Sequence, residues 1–145
     1  MNRLIKALWF TTLVSASAFL LFVYAGFRED QLIFVNNELE GLDRETFFFL
    51  ALTIITVSNF TFYILSWRLR KQDNRMAEFI KGWLMGLASA LNFFLIVVLS
   101  FLQIFNGGEN FNYQSIGYLI FVSLGAVIIC AMTLPIFLVK EKISS

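Results

Sequence analysis

Long stretches free of Asp, Glu, Lys and Arg alternate along the chain with short segments that carry every charge. The charge-free stretches cover residues 8–27, 47–67, 82–105 and 116–139. Each holds 20 residues or more, and at about 1.5 Å rise per residue a helix of that length crosses a hydrocarbon core of roughly 30 Å. The apolar runs are continuous, whereas strands of a membrane barrel alternate inward and outward residues over about ten positions. The pattern therefore predicts an all-α integral membrane protein with four transmembrane helices, forming one membrane domain over residues 1–145. Short connections make successive helices antiparallel, as an up-down-up-down bundle.

Composition agrees with this. A chain of 145 residues that is 59% hydrophobic, 14% charged and has a mean hydropathy of +0.76 has more apolar surface than a soluble core of that size hides. A net charge of +1 gives no reason to expect nucleic acid as a partner. There is no His, and Cys130 is the single Cys, which removes intrachain disulfides, Cys/His zinc sites, His-ligated haem and His-based catalytic triads. No cofactor or metal is expected. The loop carboxylates Glu38, Glu40 and Asp43 show no arrangement suited to acid–base work, so an enzyme is not expected either.

The positive charges set an orientation, because Lys and Arg in short loops stay on the cytoplasmic side. Arg3 and Lys6 precede the first stretch, Arg68, Arg70, Lys71, Arg75 and Lys81 separate the second from the third, and Lys140 and Lys142 follow the fourth. Only Arg28 and Arg44 lie on the opposite side. Both termini are expected to be cytoplasmic, in a bacterial cytoplasmic membrane. Trp9, Trp67 and Trp83 fall at the inner interface, and Tyr113 and Tyr118 at the outer one. The amino terminus also resembles a secretory signal, with Ala16-Ser17-Ala18 as a small-residue cleavage site, but its apolar run continues through Tyr24 and suits a retained span. The acceptor pattern Asn59-Phe60-Thr61 lies within a span, out of reach of glycosylation.

In the outer connection, Leu32-Ile33-Phe34-Val35 followed by Asn36-Asn37 reads as a short strand or an interfacial segment. Asp43 reads as the cap of the second helix, with Glu45 suited to its positive end. Asn106-Gly107-Gly108 signals a turn, with Gln114-Ser115 as entry to the last helix. The acids of the outer loop have no calcium-loop spacing.

Within the spans, small and polar residues carry the information, since close packing and hydrogen bonds drive helix association in lipid. Thr11, Ser15, Ala18 and Phe22 share one helical face, as do Ser123, Ala126, Cys130 and Thr133. Gly82 and Gly86 form a GxxxG element continued by Ala90. These read as helix-packing seams, within the bundle or toward a partner. Cys130 reads as a packing residue, and Pro135 as a mild kink.

Asn59 and Asn92 sit near the middle of the second and third stretches, where an amide facing lipid would leave donors and acceptors unpaired. Their similar depth allows a mutual hydrogen bond. Thr53, Thr56, Tyr63 and Ser66 accompany Asn59, and Ser89 and Gln103 accompany Asn92. One reading is interhelical glue; the other is a polar path lined by Asn59, Asn92 and Gln103. No Asp, Glu, Lys, Arg or His lies in any charge-free stretch, which argues against proton-coupled transport.

Arg68, Arg70, Lys71, Arg75 and Lys81 serve orientation first and are also candidate contacts to anionic lipid. By elimination the expected function is a structural or accessory subunit of a larger membrane complex, whose partners are the lipid bilayer and other membrane subunits or a second copy. The alternative is a non-proton-coupled transporter or channel for a small solute or lipid.

Overall fold

The computed structural model describes residues 3–34, 40–69, 72, 74–107 and 113–144, with side chains from 116 to 140 in the last segment. Four helices make up most of it: α1 (Arg3–Gly26), α2 (Arg44–Arg68), α3 (Arg75–Asn106) and α4 (Tyr113–Ser144). Each is long and apolar enough to cross a membrane. The helices extend past the apolar stretches into their charged flanks, where Arg, Lys and Glu are good helix formers. At α1 the helix stops one residue short, and Phe27 lies in the bend that follows.

The starts of α2 and α3 are capped by side chains. The Asp43 carboxylate accepts from the Thr46 amide at 2.8 Å, and the Asn74 carbonyl oxygen accepts from the Ala77 amide at 2.6 Å. Each satisfies one of the free donors of a first helical turn. The hydrogen bonds from Thr46 hold the Asp43 carboxyl below its usual carboxylate range.

The helices are unequal partners. α3 packs against α1, α2 and α4, whereas α4 approaches α3 and, among the described residues, no other helix. Accordingly 39% of the most apolar stretch of α3 is buried, against 6% for α4. Within the four-helix arrangement α1, α2 and α3 form a three-helix unit, and α4 lies against α3.

Aromatic pairs tie the first two helices together from end to end. Trp9 stacks on Tyr63 with ring centroids 5.7 Å apart, Tyr24 meets Phe48 at 4.7 Å, and Phe27 meets Phe47 edge to face at 5.8 Å. Leu20, Val23, Phe27, Ile33, Phe47 and Leu102 belong to one buried apolar cluster at the end of the unit near the first connection. That connection is latched down. Ile33 and Leu42 exchange backbone hydrogen bonds of 2.7 and 2.9 Å. Asn106, at the end of α3, accepts from the Phe34 amide at 2.7 Å and donates to the Phe34 carbonyl at 2.9 Å, imitating a second strand. Gln31 donates to the Asn106 carbonyl at 2.6 Å. The segment thus carries an isolated bridge and no regular strand, and Val35, Asn36 and Asn37 lie outside the described residues.

Arg44 closes the same end. Its guanidinium lies 4.5 Å from the Tyr24 ring centroid, donates to the Phe27 carbonyl at 3.1 Å, and sits 3.8 Å from the Glu29 carboxylate. A cation is well placed at the last carbonyls of α1, the negative end of its dipole.

Two of the expected seams are not the faces used within the bundle. In α1, Thr11, Ser15, Ala18 and Phe22 are exposed, and the inward face is Ala16, Leu20 and Val23 with Trp9, Thr12 and Leu13 half-buried. The two sets lie two residues out of step, about 200° around a helix. The inward set places Leu20 and Val23 in the apolar cluster and brings Trp9 and Thr12 to the amides of α2 and α3. In α4, Ser123 is buried and Cys130 half-buried, while Ala126 and Thr133 are exposed; the face used runs through Ser123, Val127, Cys130, Leu134 and Phe137.

Two outcomes follow. Asn106→Ala releases the Phe34 backbone and opens residues 28–43 to protease at concentrations that leave the wild-type connection intact, readable by limited proteolysis. The Asp43 cap holds above its ordinary value of 3.8 and is lost as pH falls through its lower folded value; the Thr46 amide resonance shifts with a midpoint below 3.8, a transition absent in Asp43→Ala.

Candidate functional site

At mid-length the three-helix unit holds a polar node inside apolar surroundings. Asn59 on α2 is 4% exposed and Asn92 on α3 is fully buried. Their amides pair reciprocally: Asn59 Nδ2 donates to Asn92 Oδ1 at 2.6 Å, and Asn92 Nδ2 donates to Asn59 Oδ1 at 3.0 Å. The second proton of Asn59 goes to the Ile55 carbonyl at 2.8 Å. Trp9 Nε1 donates to Asn59 Oδ1 at 2.9 Å. The second proton of Asn92 is directed at Thr12 Oγ1 at 3.4 Å, and the Thr12 hydroxyl donates to the Trp9 carbonyl at 2.9 Å.

Every amide proton in this node has an acceptor and Asn59 Oδ1 has two donors, the requirement for buried polar groups in a low-dielectric interior. The consequence is chemical: the node offers a passing solute little that is not already engaged. Nearby hydroxyls are satisfied within their own helices, with Ser58, Ser89 and Ser100 donating to the carbonyls four residues back, as does Thr53. Gln103 stands apart, three turns along α3 from Asn92, with its side chain beside Gly26 at the end of α1.

Toward the basic end, below the node, α1, α2 and α3 line a cavity of about 430 Å³. Lys6 and Trp9 line it from α1, Tyr63, Ser66 and Trp67 from α2, and Lys81 and Met85 from α3. The Lys81 ammonium donates to the Gln72 carbonyl at 3.4 Å, and its charge reaches the Glu78 carboxyl. The other basic candidates are dispersed. Arg68 is exposed, Arg75 borders a different groove together with Glu78, Gly82, Gly86 and Cys130, and Arg70 and Lys71 lie outside the described residues. Lys6, which the sequence marked only for orientation, takes their place beside Lys81.

The two glycines of the GxxxG element serve different neighbours. A Cβ on Gly82 would meet Ile5 of α1 at 3.6 Å, and one on Gly86 would meet the Cys130 sulfur of α4 at 3.9 Å. Around them Trp83 Nε1 donates to the Cys130 carbonyl at 2.7 Å, and Phe79 stacks on Phe137 at 3.9 Å. Trp83 is thus a link from α3 to α4 rather than an outward anchor. Ser123 donates to the Ile120 carbonyl at 3.0 Å within α4.

Trp9 and Thr12 were not among the residues marked as partners of the asparagines. The missed signal is the early start of α1 at Arg3, which sets Trp9 nearly two turns inside its helix, where an indole N–H needs an acceptor. Among the described residues no group of three His, Cys, Asp or Glu side chains is placed to hold a metal ion.

Asn92→Leu strands the Asn59 amide and costs about 1–3 kcal/mol, the usual penalty for an orphaned buried polar group. The Asn59→Leu/Asn92→Leu double variant costs less than the sum of the two singles, because both orphans go together; equilibrium unfolding in detergent measures the cycle. Comparison with protein-family models, with curated proteins and with solved structures gives no match for this chain.

Proposed function

We propose that this chain is an integral membrane protein whose helices cross the bilayer up-down-up-down, with termini and basic connections on the cytoplasmic side of a bacterial cytoplasmic membrane. We propose further that it is a structural or accessory subunit of a larger membrane complex. Membrane insertion is supported by four helices of sufficient length and apolarity and by large apolar side chains standing exposed around them, such as Phe10, Phe60, Phe121 and Ile129. The alternating course is supported by the order of the pairs: Trp9 with Tyr63 and Phe27 with Phe47 between α1 and α2, and Phe79 with Phe137 beside Trp83 with Cys130 between α3 and α4.

The accessory role rests on α4. This helix is held along one side by α3, and Gly117 and Gly125 have nothing within 4 Å of where a Cβ would stand. Ala126 is exposed beside them. In lipid, small residues matter because they let another helix approach closely, and here the chain's own helices do not use them. A transporter or channel is the weaker reading. The amides that would line a path are engaged with one another, and the apolar cluster fills the unit beyond them.

Mild-detergent purification with crosslinking and mass spectrometry tests this. A discrete membrane-protein partner is expected, lost in Gly125→Leu or Ala126→Leu while the unfolding temperature of the isolated chain stays unchanged. Gly86→Leu instead lowers that temperature, because it wedges α3 from α4. A chain that purifies alone, or liposome flux abolished by Asn59→Leu, overturns the accessory role.

A further inference from the structure

We propose that the cavity at the basic end of α1, α2 and α3 is a binding site for the phosphate-bearing headgroup of an anionic lipid, with Lys6 and Lys81 as its cationic partners and Ser66 as its hydrogen-bond donor. The inference rests on the membrane insertion proposed above and is independent of the accessory role.

Ser66 carries the argument. It is 5% exposed and lines the cavity, yet its hydroxyl has no protein partner among the described residues. The two other buried serines, Ser89 and Ser123, donate to carbonyls of their own helices at 2.8 and 3.0 Å. The hydroxyl itself is open to the cavity and uncommitted within the protein, so a group that fills the cavity can hydrogen-bond to it.

The charge of the cavity selects that partner. Two ammonium groups line it and, among the described residues, no carboxylate does; Glu78, one turn before Lys81 and within reach of its charge, borders the neighbouring groove beside Arg75. With a long contact to Gln72, Lys81 keeps N–H donors to offer. Lysine binds phosphate as a compact point charge with rotatable donors. The rim favours a lipid over a free anion. Trp67 is 56% exposed at the mouth, with an indole N–H that has no protein acceptor among the described residues, and Tyr63 stands half-exposed against Trp9. Amphipathic rings of this kind settle at the headgroup level of a bilayer. Trp9 lines the cavity with its N–H already given to Asn59, which leaves Ser66 and the two lysines as the donors for a headgroup.

The test is native mass spectrometry of the full chain released from nanodiscs of equal phosphatidylcholine and phosphatidylglycerol. Retention of phosphatidylglycerol over phosphatidylcholine is expected, falling about fivefold for each of Lys6→Gln and Lys81→Gln, the share of one basic group near a membrane surface. Ser66→Ala weakens retention without changing charge, and Lys6→Arg/Lys81→Arg keeps it. Arg68→Gln/Arg75→Gln removes the same charge away from the cavity and leaves the preference intact. Equal retention of the two lipids overturns the proposal, and so does an Arg68/Arg75 variant that loses as much as the lysine pair. Displacement of the lipid by millimolar inorganic phosphate identifies a site for free phosphate and overturns the lipid assignment. A chain that does not enter nanodiscs overturns this proposal and membrane insertion together; one that enters without lipid preference overturns this proposal alone.

Discussion

A carboxamide placed among apolar side chains has to find partners for two donors and an oxygen, and in this chain two such groups find each other. The reciprocal bonds between Asn59 and Asn92 clamp α2 to α3, and Trp9 and Thr12 bring α1 to the same point. Apolar contacts tolerate sliding, because one leucine packs nearly as well as the next. Directional amide bonds do not: shifting any of the three helices by one turn, about 5.4 Å, breaks several of them at once. The node therefore sets the depth at which everything else in the unit stands.

The unit is layered from that point. On one side Leu20, Phe27, Ile33, Phe47 and Leu102 fill the space between the helices, and the first connection is fastened over them by Asn106 and Arg44. On the other side the helices line a cavity with Lys6, Ser66 and Lys81. The amides of the node are engaged with one another, and it is on this that the proposal of binding and assembly over passage rests.

α3 gains its central position from carrying two distinct faces. Leu84, Ala88, Asn92 and Leu99 are buried, and Asn92 and Leu99 meet α1 and α2 through the node and the apolar cluster, while Phe79, Trp83 and Gly86 receive α4. Among the described residues α4 has one used face. Its attachment through a tryptophan N–H and a stacked pair of phenylalanines leaves open glycines elsewhere on its surface, the feature from which a subunit role is inferred.

The number of helices and their approximate bounds were legible in the sequence because charge is excluded from a long apolar helix, and the absence of Asp, Glu, Lys and Arg needs no knowledge of neighbours. The Asp43 cap was legible because it is local, and the pairing of Asn59 with Asn92 because two amides at one depth have few other partners. Only the tertiary structure decided which faces meet. Helical periodicity shows that Thr11, Ser15, Ala18 and Phe22 share a side, but in a helix apolar all round it does not distinguish that side from the one bearing Ala16, Leu20 and Val23. Likewise Gly82 and Gly86 share a face by spacing, yet one serves α1 and the other α4. The meeting of Lys6 with Ser66 and Lys81 around one cavity depends on how three separate helices stand to one another, a relation between elements distant in the chain that no pattern within one of them contains.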